Sequence, residues 1–243
     1  MIRILIVWTM FILLGSIESF GKNAVADSDC IQINVDNALN ESFKEKTVEP
    51  LKNIEKKMVS KKGNLWTYWK AYIKMCKSLY YISVNKGSYA KSMLNEAICM
   101  LEKNAIFTTE DYALIAYMQS QSIRYTKGME SGVLAAKSKN NAKLSIQKDS
   151  QNIRGWLVLA IIDYYTPPIY GGKEKCESYL LKALSLPSQK TKNAYWPSWG
   201  KKEAYLLILA YYQSVGQIAK LRSFYNKAVK EFPNDSSFKK YEK

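Results

Sequence analysis

The sequence predicts an all-α fold in which antiparallel helical hairpins stack into a solenoid. Apolar residues recur at positions i, i+3, i+4 and i+7, which is the spacing of a buried helix face. Glycine and proline are scarce, at 11 and 6 of 243 residues, and this disfavours a many-stranded fold with frequent turns. A content of 47% hydrophobic and 23% charged residues is typical of a globular chain rather than a disordered one.

The chain begins with a segment typical of a secretory signal. Arg3 precedes an apolar run over 4–14 whose one polar residue is Thr9, and this run is shorter than the roughly 17 residues that a membrane-spanning helix needs. We predict a signal peptide over 1–21, with cleavage after Gly21 or, alternatively, after Ala26. An uncleaved anchor is the competing interpretation, although Glu18 interrupts the apolar run. The protein is then expected to be exported and to be periplasmic or associated with the envelope.

The remaining chain is predicted to form a partly disordered lead-in over 22–44 and a repeat domain over 45–243. The net charge is +15, from 36 Lys+Arg and 21 Asp+Glu, and no histidine is present. The absence of histidine excludes imidazole-based catalysis and histidine-ligated metal sites. Lysines are scattered through the predicted helices, so solvated polar faces explain the charge and nucleic acid is not an expected partner. Weak attraction to an anionic membrane surface or an acidic partner is the alternative interpretation.

The helical spacing occurs in several successive segments. They are Trp69, Tyr72, Ile73, Cys76; Ala90, Met93, Leu94, Ala97; Cys176, Tyr179, Leu180, Ala183; Tyr205, Ile208, Leu209, Tyr212; and Leu221, Phe224, Tyr225, Ala228. An aromatic-rich first helix alternates with an alanine-bearing second helix, and the small residues let the two axes approach closely. One hairpin of this kind leaves an apolar face uncovered, so neighbouring hairpins are expected to stack.

These residues resemble the tetratricopeptide repeat (TPR), a unit of about 34 residues formed by two helices. The final unit carries the clearest match, at Tyr205, Ile208, Tyr212, Gly216, Tyr225, Ala228 and Pro233. Leu209 and Leu221 depart from the pattern, since both positions usually hold Ala or Gly. The resemblance covers about residues 45–238 and implies a right-handed superhelix of about four units.

Two long loops interrupt the repeats. One contains the sequence Tyr-Tyr-Thr-Pro-Pro-Ile-Tyr-Gly-Gly over 164–172, before a helix expected to begin at Lys173, and the other, over 188–200, ends in Pro-Ser-Trp-Gly. Both resemble segments of a group of small exported bacterial TPR proteins. They resemble more distantly the TPR-like periplasmic subunit associated with TRAP transporters. The resemblance implies a fold and a compartment, but no reaction and no ligand.

We predict a partner-binding surface in these loops because Trp and Tyr offer a large contact area at low entropic cost. Its candidate residues are Tyr165, Pro167, Pro168, Tyr170, Gly171, Gly172, Trp196 and Trp199. The aromatic members are expected to line one end of a concave groove. The competing interpretation is that the same residues cap the solenoid and bury surface between hairpins. A third is an anion site at Gly171 and Gly172, before a helix N-terminus.

No catalytic motif is found, and Glu110 and Asp111 are better explained as helix-start residues. The spacing of Cys30, Cys76 and the other two cysteines contains no Cys-x-x-Cys motif. We therefore predict a protein without catalysis, cofactor or metal, a scaffold that binds another envelope protein or a peptide in its groove. The alternative is a small-ligand-binding or transporter-accessory protein whose aromatic loops close over a pocket.

Overall fold

The computed structural model describes residues 30–187, 193–233 and 235–242. In these residues all regular secondary structure is helical, which confirms the predicted all-α class. The predicted signal peptide and both candidate cleavage positions lie outside the described residues. In the part of the chain that is described, none of the helices has the length and apolarity of a membrane span.

Ten α-helices follow one another in the described residues. They are α1 (Ile31–Glu45), α2 (Glu49–Met58), α3 (Asn64–Ser83), α4 (Gly87–Glu102), α5 (Thr109–Ser122), α6 (Met129–Lys148), α7 (Ile153–Tyr165), α8 (Cys176–Ser185), α9 (Lys201–Ser214) and α10 (Ile218–Glu231). Short 3-10 helices add Ile123–Tyr125, Pro168–Tyr170 and Ser236–Tyr241.

Helices that follow each other pack as pairs. The pairs are α1 with α2, α3 with α4, α5 with α6, α7 with α8 and α9 with α10. Paired helices run antiparallel because most of the connecting turns are short, as between Ser83 and Gly87. Each pair also packs on the next, since the second helix of a pair contacts the first helix of the following one. The first helices α1, α3, α5, α7 and α9 likewise contact one another in sequence, and the contact between α3 and α5 is the smallest of these.

The apolar spacing seen in the sequence is the spacing of the buried contacts. In α4, Ala90, Leu94, Ala97 and Leu101 are fully buried and form a single stripe. Because alanine ends at Cβ, it lets α4 approach the larger side chains of α3 closely. All four cysteines are free, and Cys76 and Cys176 are buried among apolar side chains.

Helix α1 occupies much of the segment 22–44, for which the sequence predicts a partly disordered lead-in. Ile31, Val35 and Ala38 recur at i, i+4 and i+7 and are buried, so this segment has a core-facing stripe of its own. The helical domain therefore begins about 15 residues earlier than the predicted boundary at 45. Residues 22–29 lie outside the described residues.

Candidate functional site

The first helices of the pairs share a face that looks into the interior of the stack, and we call it the inner face. On α5 it includes Glu110, Tyr117 and Gln121, which recur at i, i+7 and i+11 and therefore lie on one side of the helix. The opposite side of α5 packs on α6, where Asn141 Nδ2 donates a hydrogen bond to Gln119 Oε1 over 2.9 Å.

Side-chain caps fix the N-terminal ends of α5 and α7. The Oγ1 atom of Thr108 accepts a hydrogen bond from the Asp111 backbone amide, and the Asp111 carboxylate accepts one from the Thr108 amide, which fixes the start of α5 as the sequence predicted. The Oδ1 atom of Asn152 accepts hydrogen bonds from the first amides of α7. These caps place Glu110 and Arg154 in the first turns of neighbouring helices.

A segment of the second long loop, residues 193–200, lies on the inner face. Trp199 is only 7% exposed, and its Nε1 atom donates a hydrogen bond to the Tyr68 hydroxyl over 2.8 Å. Its ring centroid lies 5.4 Å from that of Tyr117 and 6.1 Å from that of Tyr72. The loop that precedes α9 thus fills part of the interior with its own tryptophan.

The same loop is hydrogen-bonded to α1 and α3, which come much earlier in the sequence. The Ile31 amide donates to the Ala194 carbonyl over 3.0 Å, and Trp69 Nε1 donates to the Tyr195 carbonyl over 2.8 Å. These contacts join residues more than 120 positions apart in the sequence. The inner face is therefore a partly filled interior rather than an open groove along its whole length.

Arg154 lies beneath Trp199 and forms a buried ion pair. Its guanidinium bonds both carboxylate oxygens of Glu110, and Asn152 Nδ2 donates to Glu110 Oε1 over 2.9 Å. Arg154 Nη1 donates to the Trp199 carbonyl over 2.9 Å. A buried ion pair is tolerated when its oxygens and N–H groups are hydrogen-bonded. This cluster therefore has a structural role.

A second polar cluster lies where α1 packs on α3. Gln32 Nε2 donates to Asp36 Oδ1 over 2.9 Å, and the Tyr72 hydroxyl lies 3.4 Å from the same oxygen. Burial raises the pKa of the Asp36 carboxyl to about 7, with a further rise from the nearby Glu203 carboxylate. This carboxyl therefore titrates near neutral pH.

The outer surface near the loop 193–200 carries exposed aromatic side chains beside lysines. Trp66 and Tyr195 form an edge-to-face pair with ring centroids 5.8 Å apart, and Lys61 Nζ lies 5.3 Å from the Trp66 ring centre. Tyr195 and Trp196 are 48% and 46% exposed. We call these residues, together with the neighbouring Lys62, the aromatic–lysine patch.

The structure does not bring the predicted site residues together. Trp199 belongs to the interior at the N-terminal end of α7, whereas the loop with Pro167, Pro168 and Tyr170 follows the C-terminal end of the same helix. Since α7 has 13 residues, the two loops are separated by about 20 Å along the helix. Tyr165 is half-buried against the core, so the expected arrangement of four aromatic residues at one end of a groove is not the one observed.

The Thr-Pro-Pro loop is a compact exposed turn. Pro167, Pro168 and Tyr170 point to solvent, with Tyr170 at 77% exposure. Gly171 has a φ of +76°, and a Cβ on Gly172 would lie 1.7 Å from the Thr166 carbonyl oxygen, so both glycines are explained by backbone geometry.

Helix α8 starts at Cys176 rather than at Lys173, because Lys173 adopts a left-handed conformation with a φ of 66°. The backbone amides of Lys173 and Lys175 are already bonded, to the Asp163 carbonyl and carboxylate. Gly171 and Gly172 therefore do not stand directly before a helix N-terminus, as the predicted anion site would require.

The sequence pattern does not predict a role for Asp36 or Gln121, nor the pairing of Glu110 with Arg154. Each is a single polar residue in an apolar helix face, and that pattern gives no indication of which helix it meets. The predicted role of Glu110 as a helix-start residue agrees with its position in the first turn of α5.

Comparisons with known proteins give a likeness in fold. No protein-family model matches the chain, and no curated protein does. Among solved structures, the chain is similar to the HusA haemophore from Porphyromonas gingivalis, with 19% sequence identity and a TM-score of 0.55. The match covers 80% of this chain and 96% of that one. At this identity the likeness concerns the helical fold alone.

Proposed function

We propose that the protein is an exported binding protein without catalytic activity, built as a TPR-type right-handed superhelix. The consecutive antiparallel pairs, in which first helices contact first helices, support this arrangement. The apolar run after Arg3 supports export to the bacterial envelope. A resemblance to small exported TPR proteins, and more distantly to the TRAP-associated subunit, agrees with both proposals.

The proposed ligand is a flat aromatic molecule that carries acidic groups, such as a porphyrin. The observation that carries this proposal is the aromatic–lysine patch, where the half-buried ring of Trp66 lies between Lys61 and the exposed Tyr195, which is followed by the exposed Trp196. Aromatic rings stack on a flat ligand, and ammonium groups pair with its carboxylates. The similarity in fold to a protein described as a haemophore adds support.

Haemin and metal-free protoporphyrin are the probes that test this proposal. We expect both to quench tryptophan fluorescence and to bind with similar affinity, because stacking and charge pairing act on the ring and the carboxylates that the two probes share. The variants Trp66→Ala and Trp196→Ala are expected to weaken binding at least about tenfold each.

The matched control is Tyr170→Ala, which removes an exposed aromatic ring from the Thr-Pro-Pro loop, outside the patch. It should leave porphyrin binding unchanged. If all three variants bind equally well, the patch is not the site. If the wild-type chain binds neither porphyrin, the proposed ligand is wrong.

A second candidate function is the protein-binding scaffold predicted from the sequence. The observation that favours it is the exposed Thr-Pro-Pro loop, where Ile169 and Tyr170 are 83% and 77% exposed on a turn held by backbone hydrogen bonds. Capture of envelope proteins by the full chain should then depend on Tyr170 and Ile169 and be insensitive to Trp66→Ala. The filled interior disfavours a peptide lying along the whole inner face.

A further inference from the structure

We propose that the part of the inner face beyond Trp199 holds a small carboxylate, bound by the Gln121 side chain with Arg124 as the neighbouring cation. This site is separate from the aromatic–lysine patch and does not depend on the function proposed for that patch. It lies toward the C-terminal end of α5. The N-terminal end of this helix carries Glu110, which is paired with Arg154.

Gln121 is buried but its amide has no hydrogen-bond partner. Its side chain is 1% exposed, and both Oε1 and Nε2 are shielded from solvent without a donor or acceptor in reach. A buried amide without partners is costly, and most buried polar groups in proteins are satisfied. The amide therefore indicates a molecule that supplies the missing hydrogen bonds.

The direction of Gln121 follows from its position on α5. Gln119 faces α6, where it accepts a hydrogen bond from Asn141. Two residues correspond to about 200° around an α-helix, so Gln121 faces away from α6 and toward the interior. Tyr117, one turn before it, packs on Trp199 from the same side of α5.

The surroundings favour an anionic ligand. Arg124 is one turn beyond Gln121. Burial raises the pKa of the Tyr117 and Tyr165 hydroxyls, and the positive charge of Arg124 opposes that rise at both. The amide Nε2 of Gln121 and tyrosine hydroxyls are further donors. A carboxylate accepts hydrogen bonds from amide donors while its charge faces the guanidinium. The Glu203 carboxylate accepts a hydrogen bond from the Gly200 amide and adds to the rise in the pKa of Tyr117, while the Asp36 carboxyl is bonded to Gln32.

Benzoate is the probe, because tyrosine rings line this face, and benzamide is its neutral counterpart. In the full chain labelled with ¹⁵N, benzoate should shift the Gln121 side-chain amide resonance and raise the melting temperature. Benzamide should do neither at the same concentration. If benzoate leaves the Gln121 resonance in place, the amide holds an ordered water only and the proposal is wrong.

Two variants separate binding from structure. Gln121→Met keeps the length of the side chain, so it should fold at least as stably as the wild type without ligand and bind benzoate at least about tenfold more weakly. The matched control Gln119→Met removes a satisfied amide and should lower the melting temperature while benzoate binding persists. A Gln121→Met protein that is less stable without ligand, or that binds benzoate normally, would overturn the assignment. If Gln121→Met does not fold, Gln121→Glu tests the same point, because a second carboxylate should repel benzoate.

Porphyrin binding distinguishes this site from the patch. Trp66→Ala should weaken porphyrin binding and leave the benzoate response intact, whereas Gln121→Met should do the reverse. Loss of both responses in one variant would show that the two sites are not independent.

Discussion

Arg154 donates a hydrogen bond to the Trp199 carbonyl over 2.9 Å, and its guanidinium lies 5.7 Å from the centre of the Trp199 ring. One residue begins α7 and the other precedes α9, so this contact joins two successive pairs across the interior. Because Arg154 also binds Glu110 on α5, a single guanidinium connects three elements that are far apart in the sequence. The position of the long loop 193–200 depends on this charge.

Neutralising Glu110 should therefore destabilise the protein strongly. In Glu110→Gln, the shape of the side chain is retained but Arg154 is left as an uncompensated buried charge. We expect the free energy of unfolding, measured by denaturant titration, to fall by about 3–5 kcal/mol. The control is Glu49→Gln, which breaks an exposed pair with Lys52 and should change little. Equal effects of the two substitutions would contradict the structural role of the buried pair.

The two tryptophans of the long loop should behave differently on truncation. Trp199 is buried against tyrosine rings, so Trp199→Ala removes a large core side chain and should lower the free energy of unfolding by about 3–5 kcal/mol. Trp196 is 46% exposed, and Trp196→Ala should change stability by about 0.5 kcal/mol or less. Thermal unfolding of both variants checks this. A stable Trp199→Ala protein would show that the loop does not anchor the interior.

Asp36 should make stability depend on pH in the opposite direction to an ordinary ion-paired carboxyl. Its pKa is about 7 in the folded chain against an ordinary value of 3.8, so the folded state binds the proton more tightly than the unfolded state. The contribution of the neutral form is then present below about pH 4 and is lost as pH rises through 7. The charged groups nearby, Glu203 and Lys202, oppose each other in this effect.

We expect Asp36→Asn to flatten the dependence of stability on pH between 4 and 8. The wild type should lose on the order of 3 kcal/mol more than the variant over this range. Denaturant titrations at several pH values measure the difference. A wild-type chain that becomes more stable from pH 5 to pH 8, with no change on substitution, would show that folding does not raise the pKa of Asp36.

The sequence predicts the helices well and the interior poorly, for a physical reason. Helix faces are set by local spacing, so Tyr205, Ile208 and Tyr212 indicate α9 without knowledge of its neighbours. Trp199 meets Tyr68 across 131 residues, and a tryptophan in a loop has no periodicity from which such a contact follows. The spacing of apolar residues therefore does not indicate whether Trp199 is buried or exposed.

The same reason explains the polar positions. Gln119 and Gln121 are only two residues apart and chemically identical, yet one is bonded to Asn141 and the other has no partner. The difference comes from which neighbouring helix each side chain meets. Conversely, the start of α1 was missed because its apolar stripe is diluted by polar residues such as Gln32 and Asp36, whose partners lie on other helices.

Two glycines, one in the Thr-Pro-Pro loop and one in α6, should respond in opposite directions to substitution by alanine. A Cβ on Gly172 would lie 1.7 Å from the Thr166 carbonyl oxygen, so Gly172→Ala forces the backbone to shift and should lower the free energy of unfolding by about 1–3 kcal/mol. Gly132 lies within α6, and a Cβ there meets nothing within 4 Å. Gly132→Ala should therefore raise stability by about 0.5–1 kcal/mol, because alanine loses less conformational entropy in a helix. Thermal unfolding of both variants beside the wild type measures the difference. Two glycine-to-alanine changes of opposite sign would show that Gly172 is required by the close packing of the loop, and equal signs would contradict that explanation.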